Sequence, residues 1–166
     1  MTLGVVVLNG QQLGLIIVAI FGALWAAVGA SVLRSAQRSG ITAVAAIVAL
    51  LLIMQAPRLR AGAGYFHAGA YVYSVLFEVV AIFLTVVLIR RFADRSLIPP
   101  VIAIIVGLHF IGLRLATGQN VFIWLAVAMC LFGTLAAITP QTLRLPIAGF
   151  GSALALWASA IRMIAG

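Results

Sequence analysis

Six apolar stretches, separated only by short polar joints, restrict this chain more than any motif in it. They run over residues 13–33, 40–56, 68–89, 99–115, 121–138 and 147–164. A helix needs about 20 mostly apolar residues to cross bilayer hydrocarbon, within a range of about 17–25. The second stretch is the weakest. Its strictly apolar part is only Ile41–Met54, so it spans only if Gly40, Gln55 and Ala56 join it or the bilayer thins locally. The expected fold is an all-α membrane protein. It is a compact bundle of about six transmembrane helices with short loops, forming one polytopic domain over residues 1–166.

Composition identifies the solvent. Apolar residues make up 66% and charged residues 7%, against roughly 45–50% and about 25% in soluble domains. So few charges cannot cover a water-facing surface of this size. Prolines punctuate the stretches as helix geometry requires. Pro57 and Pro140 close the second and fifth, because proline has no N–H with which to continue a helix. Pro99–Pro100 and Pro146 open the fourth and sixth, where that N–H is not needed. Ahead of the first stretch, "LGVVVL" and then "NGQQ" either extend the helix or turn at Asn9–Gly10 onto the membrane. No positive charge precedes it, so a cleaved signal peptide is not expected.

The net charge is +8, and all ten cations are arginines. They stand in ones and twos between apolar runs, with no basic stripe and no stacking aromatics, which argues against a nucleic-acid partner. Their ordinary role is to anchor topology at the headgroups. On alternate loops, Arg34, Arg38, Arg90, Arg91, Arg95 and Arg144 fall on one side. Arg58, Arg60, Arg114 and Arg162 fall on the other. Six against four favours the first set as cytoplasmic, with both termini outside, in a bacterial cytoplasmic membrane.

Glu78, the only glutamate, sits in the middle of the third stretch. A charged carboxylate at the centre of a membrane helix costs about 2.5–3.5 kcal/mol. Helical steps of three and four from Glu78 collect His67, Tyr71, Ser74, Ala81 and Thr85 on one stripe. Such a stripe should face other helices or water rather than lipid. The fourth stretch returns from a short loop near Ala93–Asp94, so the two form an antiparallel hairpin with Glu78 and His109 at similar depth. Arg114 lies a little farther out. Either base could face the acid, but they are five residues apart and so point about 140° apart on a helix. Gly107 and Gly112 beside His109 allow close approach of a neighbouring helix or ligand. Arg58 and Arg60 are expected at the rim of an outward-opening pocket with Glu78 at its floor. The binding candidates are therefore Glu78, His109, Arg114, Ser74, Tyr71 and His67.

No cofactor, metal site or catalytic set is expected. There is no H-E-x-x-H, no phosphate-binding glycine loop and no cysteine pair. Cys130 is alone and suits a packed apolar position. A haem between His67 and His109 conflicts with their offset in depth. The small-residue series Gly151, Ala155, Ser159 and Gly22, Ala26 fit internal packing as well as an oligomer contact. Trp25, Trp124 and Trp157 are deep in their segments and are expected to fill space. Three functions are compatible with this pattern. The first is a transporter or channel-like protein with a proton- or cation-responsive site at Glu78. The second is an accessory subunit that binds a second copy or another membrane protein. The third is an intramembrane enzyme acting on a lipid, with Glu78 and His109 as acid and base.

Overall fold

The computed structural model describes residues 10–59 and 67–165. They form α1 (Gly10–Ala30), α2 (Ser35–Ile53), α3 (Ala68–Phe92), α4 (Ile98–Thr117), α5 (Val121–Ile138) and α6 (Gln141–Ala165). Single 3-10 turns at Ala56–Arg58 and Arg95–Leu97 follow α2 and precede α4. All six helices are long and apolar enough to cross a membrane, and no strand occurs among the described residues. Asn9 and Arg60, singled out above, lie outside the described residues.

The helices pack in the order α2, α1, α6, α5, α4, α3. α6 occupies the middle because its small residues let backbones approach. Gly149, Gly151, Ser152, Ala153, Ala155, Ser159 and Ala160 are all buried. A Cβ on Gly149 would overlap the backbone of Gly29 on α1, so this crossing requires two glycines. α1 and α6 run antiparallel. Gly14 lies beside Met163, and the Trp157 indole covers Gly22 and donates to the Ala19 carbonyl at 3.4 Å. Phe132 of α5 fills the notch at Gly151. The small-residue faces are therefore internal packing surfaces. Trp25 is buried as expected, but Trp124 is 63% exposed on the lipid-facing side of α5. Being deep in a segment does not determine which way a side chain faces.

Two helix boundaries differ from expectation. α2 gains its length at the polar end, where Gln37, Arg38 and Ser39 form its first turns, while Gln55 falls in the turn beyond it. α6 begins at Gln141, so Pro146 lies inside the helix rather than at its start. The missing N–H there leaves only the carbonyl one turn back without a partner. That carbonyl belongs to Thr142, and residues 141–143 are exposed at the bundle end, where water can reach it. At the other boundaries the chain behaves as its local chemistry dictates. Pro99 and Pro100 occupy the first turn of α4. Gly118 ends α4 at φ 75° with its N–H on the Arg114 carbonyl at 2.9 Å, the left-handed cap that glycine adopts without a Cβ clash.

α3 differs from the rest. It packs against α4, and none of its residues is buried. Its half-covered positions, among them Tyr71, Ser74, Glu78, Ala81 and Thr85, recur at helical spacing. The faces between them expose Val72, Phe77, Val80, Phe83 and Leu84.

Candidate functional site

The seam between α3 and α4 brings three polar side chains together. Glu78 Oε2 lies 3.3 Å from His109 Nδ1. Ser74 Oγ, one turn earlier on α3, is 3.0 Å from the same nitrogen and 3.0 Å from the His109 carbonyl oxygen. The serine has one proton, and it donates this to the carbonyl. Nδ1 must then carry hydrogen to bond either Ser74 Oγ or the carboxylate. With a carboxylate at Glu78, an Nδ1–H donor is therefore shared between Ser74 Oγ at 3.0 Å and Glu78 Oε2 at 3.3 Å. The histidine side chain is 9% exposed and the glutamate 18%, so the pair is shielded from the acyl tails.

Local sequence sets this geometry. Ser74 and Glu78 share a face because they are one turn apart. Gly112 allows Ser74 to reach the α4 backbone, since a Cβ there would overlap the serine side chain. The start of α3 is tied to the end of α4 by the His67 N–H, which donates to the Ala116 carbonyl at 2.9 Å. Glu78 lies ten residues into α3 and His109 eleven into α4, so both stand about 15–17 Å from their helix starts. That depth is close to the middle of a bilayer.

The other expected residues are placed differently. Arg114 is turned from the pair, and its Nε donates to Asn120 Oδ1 at 2.9 Å. The angular separation along α4 is the reason: with His109 facing α3, Arg114 must point toward the α4–α5 turn. Gly107 faces α5, where an added Cβ would crowd Cys130 Sγ and the Ala126 carbonyl. Tyr71 is half-covered on the α3 stripe, and His67 is exposed at its start. Arg58 lines a cleft of about 770 Å³ at this end of the bundle, with Gln11, Gln119, Asn120 and Arg162. Among the described residues, neither Glu78 nor any other residue of α3 lines that cleft. Arg58 and Glu78 thus stand on different parts of the bundle, α3 lying at the edge of the array and the cleft between the ends of α1, α5 and α6.

A second ion pair was not anticipated. Asp94 accepts from the Ser96 N–H at 2.9 Å, from Ser96 Oγ at 2.6 Å and from Arg144 Nη1 at 2.7 Å. Arg144 also donates from Nη1 to Ser96 Oγ at 2.7 Å and from Nε to the Thr139 carbonyl at 3.2 Å. Ser96 and Arg144 hold the Asp94 carboxyl below the usual carboxylate range. The D-x-S spacing just before the proline pair was the available signal, since aspartate often bonds the backbone two residues on. Among the described residues, no three His, Cys, Asp or Glu side chains converge as metal ligands would. No protein-family model, curated protein or solved structure matches the chain.

Proposed function

We propose that the chain is a transporter or channel-like protein of a cytoplasmic membrane, with a proton-responsive site formed by Glu78, His109 and Ser74. The single observation that carries this reading is the contact of Glu78 Oε2 with His109 Nδ1 at 3.3 Å, on the helix face by which α3 is held. The pair is neutral overall as carboxylate with imidazolium, or as carboxylic acid with neutral imidazole. Gain or loss of one proton leaves a net charge at membrane depth, where an uncompensated charge is costly. Each proton step therefore works against the seam that joins α3 to α4. α3 makes no comparable contact with another helix, so it is the element free to respond.

Liposomes carrying the full chain and trapped pyranine test this, with potassium and valinomycin setting the membrane potential. Proton entry should exceed that of protein-free vesicles and fall to their level with Glu78→Gln, while Arg34→Gln at the far end leaves it unchanged. Entry equal to wild type in Glu78→Gln would remove the pair from the mechanism.

The accessory reading has one observation in its favour, namely that no residue of α3 is buried. Light scattering in mild detergent separates the two. A stoichiometric partner released by Phe77→Ala with Phe83→Ala supports the accessory role, because both rings are exposed on α3. A lone monomer with proton entry supports transport.

A further inference from the structure

The cleft of about 770 Å³ at the α1–α5–α6 end unites residues distant in sequence. Arg58 and Arg162 supply two guanidinium groups, and Gln11, Gln119 and Asn120 supply side-chain amides. The Asn120 amide has a defined orientation. Its Oδ1 accepts from Arg114 Nε at 2.9 Å, which leaves its NH2 group as the free donor on a residue that lines the cleft. Arg114 thus adds positive charge beside one lining residue, Asn120.

No acidic side chain of the chain is available to balance this charge. The sequence contains only Glu78 and Asp94. Glu78 faces His109 in the α3–α4 seam, and Asp94 is paired with Arg144 at the opposite end of the bundle. The remaining lining is apolar and includes Leu59, Val121, Met163 and Ile164. The volume falls within the range of about 300–1,000 Å³ that small-molecule sites occupy. Guanidinium groups suit phosphate because their planar donor fork matches its oxygens.

We propose that this cleft binds an anionic phosphate group, held by Arg58 and Arg162 and oriented by the Asn120 amide. A lipid headgroup and a free phosphate share this chemistry. The site has no lining residue in common with the Glu78–His109 pair, so either proposal stands if the other fails.

The test uses the full chain in phosphatidylcholine nanodiscs, with its melting temperature as the readout. One arm adds inorganic phosphate to the solution, and the other adds phosphatidylglycerol to the bilayer. Stabilisation in both arms identifies a site open to soluble phosphate. Stabilisation by phosphatidylglycerol alone identifies a headgroup site. In either case Arg58→Gln with Arg162→Gln should weaken binding about twenty-five-fold, with each arginine near an anionic group contributing about fivefold. Arg34→Gln with Arg38→Gln removes the same charge at the other end and should leave the affinity unchanged. Equal weakening in the two double variants would show general attraction to anionic surfaces and overturn the proposal, as would no stabilisation in either arm. Arg58 and Arg162 are both exposed, so their replacement leaves the core intact.

Discussion

At the scale of single residues, His109 is held from two directions by one helix. Ser74 takes its carbonyl, Ser74 and Glu78 flank Nδ1, and the ring has little freedom to turn. Asp94 is held in a comparable way but in water, and there its protonation can be predicted. Ser96 through its hydroxyl and N–H, and then Arg144, favour the carboxylate. A group depressed in the folded state stabilises above its unfolded value of about 4. It loses that contribution as pH falls through the folded value. The contact between the α3–α4 turn and α6 should therefore be closed at neutral pH and open only in stronger acid, once the pH falls through the depressed folded value. Protection of the Ser96 amide against hydrogen exchange reports it. Protection should drop on acidification in the wild type and be low at every pH in Asp94→Ala, which removes the acceptor oxygen. Wild-type protection that ignores pH would contradict the assignment.

At the scale of helices, closeness of approach separates glycines that look alike in the sequence. Gly149 meets the backbone of Gly29, which cannot move aside as a side chain can. Gly14 has Met163 Cε at 3.5 Å, an ordinary contact with a flexible neighbour. Gly149→Ala should destabilise the bundle by about 2 kcal/mol or more through overpacking, whereas Gly14→Ala should be neutral or mildly stabilising. Unfolding in mixed micelles with increasing dodecyl sulfate measures both, and equal midpoints would refute the close α1–α6 crossing. Glycine spacing alone was not enough to rank these positions. The sequence pattern marks a face as small but does not say which helix, or which atom of it, arrives there.

At the scale of the whole molecule, the arginines divide by end. Arg34, Arg38, Arg90, Arg91, Arg95 and Arg144 lie at one end, and Arg58, Arg114 and Arg162 lie at or toward the other. The first end should be cytoplasmic, because arginine-rich loops are retained there. Single cysteines introduced as Ser39→Cys and Gln119→Cys, in a Cys130→Ser background, would read this from opposite sides. A membrane-impermeant maleimide applied outside whole cells should label position 119 and not 39, and the reverse pattern would invert the topology.

The sequence by itself determined the solvent, the six helices, the inward face of α3 and the shared depth of Glu78 and His109. These follow from hydrophobicity and helical period, which act over a few turns of one segment and survive without knowledge of the neighbours. Only the tertiary structure decided that His109 rather than Arg114 meets the acid, that Pro146 lies within a helix, and that Asp94 finds Arg144. It also gathered Arg58, Asn120 and Arg162 at one cleft away from Glu78. Those outcomes depend on the rotation and order of packed helices, which are set by close contacts between distant segments such as Gly29 with Gly149 and Ser74 with Gly112. No local pattern encodes them.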